Sequence, residues 1–183
     1  RLKIEHIDHL PDSDRSLPPF LQEIKWELGW LFTMQFGDGS VSHKVSAVRF
    51  CPFIMPEREN ARRYFTGWGS TATADFTAIM AAASRIFKPF DAAYSRKCLD
   101  AAERSYGFLQ ENPEEHQPDL AGFFTGGYLT SDTDARLWAA SELWETTGES
   151  IYLADFQRRA AEMNPKIDYD FNWKNVGNLA MDT

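Results

Sequence analysis

The stretch GGYLTSDTDARLWAASELWETTG, from Gly126 to Gly148, places Asp132 and Asp134 two residues apart at the threshold of a helical pattern. Paired carboxylates serve three kinds of chemistry. They work as general acid and base in hydrolysis, they give charged oxygens to calcium, or they cap a helix by accepting its unpaired amide protons. Side chains two apart on a loop generally diverge, which counts against a catalytic pair. As caps the two aspartates suit their place, because a helix N-terminus carries free amides and the positive end of the dipole. As calcium ligands they would need help, since the ion takes six to eight oxygens. Elsewhere, His43 in Ser42-His43-Lys44-Val45, Trp68 between Gly67 and Gly69, and Tyr128 after Gly126-Gly127 put an imidazole and two aromatic rings on turns, where clefts form.

The elements that must position these groups read as helices. Pro18 and Pro19 open one, with Leu21, Ile24, Leu28 and Leu31 in 3-4-3 spacing, ending at Gly37-Asp38-Gly39. Trp26, Trp30, Trp138 and Trp144 stand at helical spacing and read as core. VSHKVSAVRF (41–50) alternates as a short strand or extended arm, and 52–70, with its prolines and glycines, reads as an ordered surface loop. An Ala-rich helix follows over 71–87, with Ser70 or Thr71 as its cap, and Pro89 breaks it. A more polar helix covers 91–110, and a Pro-rich acidic loop runs from Asn112 to Asp119. Helices over 133–147 and 150–163 come next, the latter stopped by Pro165, and the tail begins another.

These helices repeat. A shift of about 58 residues carries Ala81 onto Ala139, Ala82 onto Ala140, Asp91 onto Glu149, Tyr94 onto Tyr152 and Ala102 onto Ala160. Each unit is an Ala-rich helix, a short turn, an acidic residue three before a Tyr, then a more polar helix. Stacked helical hairpins with one buried and one exposed layer predict an all-α toroid or solenoid in a single domain. The repeat count predicts that the chain, which opens on Arg1, is part of a longer ring.

Bulk composition narrows the partners. With 43% hydrophobic residues the chain is globular, and a net charge of −8 argues against nucleic acid or an anionic membrane surface. Aromatics at 14% fit either a large core or carbohydrate-stacking surfaces. No run approaches the ~18 apolar residues of a membrane span. Cys51 and Cys98 suggest neither a disulfide framework nor a zinc site, and read as buried small residues.

Three segments, LPPFLQEIKWELGWLFTMQFGDGSVSHKV, STATADFTAIMAAASRIFKPFDAAYSRKCLDAA and DTDARLWAASELWETTGESIYL, closely resemble the bacterial family-nine glycoside hydrolases, inverting endoglucanases. The resemblance implies an (α/α)6 barrel of which this chain is a central part: about five helices and the start of another, with the short extended arm near 41–50. Helices 19–35, 91–110 and 150–163 would be outer, and 71–87, 133–147 and the tail inner. It implies hydrolysis of β-1,4-glucosidic bonds in cellulose or cello-oligosaccharides, extracellular location, and contact with the remaining segments of the barrel. It also places the catalytic base in an upstream Asp-Ala-Gly-Asp motif and the acid in a downstream Asn-Glu-x-Ala segment. Neither occurs among these residues, so no catalytic residue is expected in the chain and no activity from it alone.

For the site, the resemblance implies a cleft role for His43 against glucose near the point of cleavage, and sugar stacking for Tyr128 and Trp68. It implies a degenerate structural calcium site at Asp132 and Asp134. Ala135 stands where a second acid is usual, and Lys174 follows Trp173 where an Asp is common, so that the Lys174 ammonium would replace the ion and pair with Asp134. No zinc is expected, since the family's zinc ligands lie upstream. The competing reading is a carbohydrate-binding or scaffold module of α-hairpins that does no catalysis. A segment cut from a ring should also expose inner apolar residues such as Ile79, Ile86, Leu137 and Leu143.

Overall fold

A computed structural model describes residues 17–163, 169 and 172–181. Six α-helices follow one another among them: α1 (Pro19–Leu31), α2 (Ser70–Phe87), α3 (Ala92–Glu111), α4 (Thr133–Thr147), α5 (Ser150–Met163) and α6 (Gly177–Met181). The expectation that Pro165 stops α5 falls outside the described residues. No helix among them is long and apolar enough to cross a membrane.

The two-layer repeat is present. Helix α2 packs against both α3 and α4, and α4 against both α5 and α6. In α2 and α4 small side chains allow this closeness: Ala74, Ala78, Ala81, Ala139 and Ala140 are wholly enclosed. Helix α3 is amphipathic and buries Cys98, Ala101, Ala102, Ser105, Tyr106 and Leu109 while its other face meets solvent. The repeated tyrosines do equivalent work: Tyr94 meets Phe87 edge-on at 5.0 Å, and Tyr152 meets Tyr106 the same way at 5.0 Å. The acid before each also serves the turn. Asp91 caps α3 by accepting from the Tyr94 amide at 2.9 Å, and the Glu149 carbonyl accepts from the Tyr152 amide at 3.2 Å.

Several expectations are corrected. Helix α1 stops at Leu31, and a 3-10 turn carries the chain through Met34. Trp26 and Trp30 are not core: they are 79% and 51% exposed. Leu21 and Leu28, two turns apart, define the buried stripe, and the tryptophans lie around the helix from it. Trp138 and Trp144 do pack, partly buried, against the two apolar clusters. Cys98 is buried but Cys51 is exposed. Leu137 and Leu143 are fully enclosed between helices, whereas Ile86 is 46% exposed. Neither Ser70 nor Thr71 caps α2. Gly69 is the N-cap, and Ser70 instead gives its amide to the His116 carbonyl at 2.9 Å, tying the helix start to the acidic loop.

The expected loop 52–70 contains a strand. Val45–Ala47 (β1) pairs antiparallel with Arg63–Phe65 (β2), Val45 opposite Phe65 and Ala47 opposite Arg63, making a two-stranded arm. Its link to the helices is what builds the site.

Candidate active-site cleft

His43 and Lys44 stand at the root of the arm, where the chain leaves the bridge between Ser42 and Trp68. The His43 amide donates to the Gly67 carbonyl at 3.0 Å, and its Nε2 meets the Gly127 carbonyl at 2.6 Å. A carbonyl only accepts, so this bond makes Nε2 the protonated nitrogen and leaves Nδ1 and the ring faces for other partners. Lys44 Nζ donates to the Gly126 carbonyl at 2.5 Å and to Thr125 Oγ1 at 3.0 Å. The arm thus holds the turn that carries Tyr128.

Tyr128 is the one non-glycine with positive φ (55°) among the described residues, and it is 59% exposed. Its ring meets Trp173 edge-on, centroids 5.6 Å apart, and Trp173 is itself 53% exposed. Two half-exposed rings inclined at 74°, next to a histidine, are the kind of surface that receives the apolar face of a pyranose. Trp68 is placed differently. Its backbone adjoins His43, but its ring stacks on His116 at 3.9 Å and meets Phe108 edge-on at 4.9 Å. It lines a separate hollow of about 260 Å³ with residues 111–116. The structure therefore brings His43 and Tyr128 together and puts the Trp68 ring elsewhere.

The two aspartates do not cap α4 with their side chains. Asp132 is the N-cap residue, yet its carboxylate goes to the Arg136 guanidinium at 2.6 Å, an ion pair buried at both ends. Arg136 Nη1 and Nη2 then reach the carbonyls of Leu109 and Asn112 at 3.1 and 3.0 Å, joining α4 to the end of α3. Asp134 accepts from the Val176 amide at 2.6 Å, so it secures the start of α6 rather than its own helix. Lys174 does not pair with Asp134; its ammonium lies 5.1 Å from the Trp173 ring centre. With Asp132 already neutralised by a cation and Asp134 spent on an amide, this donor set does not fit calcium. Among the described residues no three of His, Cys, Asp and Glu converge at metal-binding range.

One acid escaped the sequence. Asp75, on α2, has a buried Oδ1 with no hydrogen-bond partner among the described residues. Burial, together with the charge of Asp134, pushes its carboxyl up to about 7. A single Asp in an Ala-rich helix leaves no local mark in the sequence.

The family model of glycosyl hydrolase family 9 matches residues 4–182. The chain belongs to that family. It is 52% identical over 177 residues to endoglucanase D of Acetivibrio thermocellus, covering 95% of this chain and 28% of that protein. It is 34% identical to the xyloglucan-specific endo-beta-1,4-glucanase BoGH9A of Bacteroides ovatus, over 85% of this chain and 28% of the relative. Among solved structures, a metagenome-derived family 9 endoglucanase superposes with TM-score 0.84 at 39% identity, over 94% of this chain and 32% of its own. AaCel9A, solved in complex with cellobiose-like isofagomine, superposes at 0.80 with 32% identity, over 92% and 32%. The chain therefore spans under a third of the length of these relatives, and its fold is part of an (α/α)6 barrel with α2, α4 and α6 in the inner layer.

Proposed function

We infer that this family 9 chain is the sugar-binding part of an endoglucanase that cleaves β-1,4-glucosidic bonds of cellulose or related glucans with inversion. The observation that carries the reading is the corner formed by Tyr128 and Trp173, both half exposed, beside a histidine whose Nδ1 is left open by its Nε2 bond to Gly127. Inversion needs an acid at the leaving oxygen and, roughly 6.5–9.5 Å away, a base that activates water. We assign both roles to other parts of the barrel. Asp132 and Asp134 are committed to Arg136 and Val176, and the family's two catalytic motifs do not occur in this sequence. We propose an extracellular location on the same reading, since cellulose lies outside the cell.

The test is the stereochemistry of the products. Full-length protein incubated with cellohexaose should release reducing ends first seen as the α-anomer by proton NMR, and His43→Ala should slow that release. A β-anomeric product, or kinetics untouched by the substitution, would overturn the assignment. Binding without any cleavage would instead favour the non-catalytic carbohydrate-binding module.

A further inference from the structure

Lys44 is half buried, and its ammonium faces inward to the loop rather than out to solvent. Besides the Gly126 carbonyl and Thr125 Oγ1, it has the Phe123 ring 5.7 Å away. Its neighbours on the arm continue the series. His43 meets Gly127, Ser46 Oγ meets Thr125 Oγ1 at 2.8 Å, and the Phe124 amide donates to the Val48 carbonyl at 2.8 Å. Read along the arm, successive residues engage the loop in reverse order, from 127 back to 124. The next loop residue is Tyr128. A non-glycine keeps a left-handed backbone only where its surroundings over-determine it. Gly126 is part of that constraint, because a Cβ there would lie 2.7 Å from the Tyr128 ring. Of the clasp's bonds, those of Lys44 are the charge-assisted ones, and such bonds are about twice as strong as neutral ones.

We propose that Lys44 is the positioning residue that fixes the Gly126–Tyr128 turn and so holds Tyr128 and Trp173 as a corner open to a glucose ring. The role of the corner rests on the glucan reading above; the role of Lys44 in setting it does not. In the full-length protein, hydrogen exchange followed by mass spectrometry should show amides 124–129 of Lys44→Met exchanging roughly tenfold faster. Exchange in α2 and α4 should stay as in the wild type. The near-UV circular dichroism of the Tyr128–Trp173 contact should weaken, cellohexaose affinity should fall with it, and Lys44→Arg should restore all three. Thr125→Val, which removes one acceptor and keeps the cation, should loosen the same amides to a smaller degree, and decides the matter if Lys44→Met does not fold. Unchanged exchange at 124–129, or loosening spread evenly over α2 and α4, would overturn the proposal. Wild-type protein that binds no glucan would overturn the sugar-binding reading alone, with the exchange pattern still deciding for or against Lys44.

Discussion

A carboxyl that is buried without a partner gives up its charge, and Asp75 is the clearest case among the described residues. Its ordinary value is 3.8, and desolvation, helped by the charge of Asp134, raises it to about 7. Between those values the folded chain holds a proton that the unfolded chain releases. Stability from this group is therefore complete below about pH 4 and lost as the pH rises towards 7. Asp75→Asn mimics the protonated form at every pH. Urea unfolding should find the variant more stable than wild type by a few kcal/mol at pH 7, with the gap closing near pH 4. A gap that does not change with pH would mean that Asp75 titrates alike in the folded and the unfolded chain. The opposite arrangement is seen at Asp155, where bonds from Arg159, Tyr106 and Arg158 outweigh desolvation and hold the carboxyl below its usual range. Two acids on neighbouring layers thus go opposite ways, according to whether burial brings donors with it.

Between elements, a buried polar tie runs from α4 to the end of α3 through Arg136. Its side chain and that of Asp132 are 3% and 9% exposed, so removing the acid strands a buried cation. Asp132→Ala should cost ~3–5 kcal/mol in chemical denaturation, against the ~0.5–2 kcal/mol expected for losing a simple cap. A loss in the lower range would return Asp132 to the capping role. The example also shows how far the sequence could be read. Helices α2 to α5 were placed to within a residue or two, because Ala-rich stretches, prolines and the repeated Tyr all mark element boundaries locally. The partners of Asp132 and Asp134 were not legible, since capping and ion pairing demand the same residue in the same place. Only the neighbouring helix decides which one wins. The strand Arg63–Phe65 was missed for a related reason: its partner is Val45–Ala47, across a loop crowded with prolines. Trp26 and Trp30 misled because a four-residue spacing tells which residues share a face without telling which face is buried. The sequence marks His43 and Tyr128 as candidates but not the Lys44 clasp that brings their loops together, because the clasp needs two distant loops to meet.

For the molecule as a whole, the donor geometry argues for a junction of α4 and α6 held by the bond from the Val176 amide to Asp134 rather than by an ion. Excess calcium chelator should leave the melting temperature unchanged, since nothing that binds the folded state would be withdrawn. A fall in melting temperature on chelation, reversed by added calcium, would show that an ion is held after all. Surface chemistry at this scale is uneven: Phe50, Phe53, Ile54 and Met55 are all exposed on the loop between β1 and β2, while α2 and α4 bury most of their apolar residues.

The clasp between the arm and the Tyr128 loop has a bearing on the order in which the chain folds. Its bonds join residues 84 and 82 positions apart, with the whole α2–α3 hairpin in between. Closing so long a loop costs chain entropy that only a preformed hairpin can offset, because the hairpin shortens the span to be closed. The local helical contacts therefore come first and the Tyr128–Trp173 corner is assembled late. On unfolding the sequence runs in reverse: the corner opens while the helices behind it are still intact.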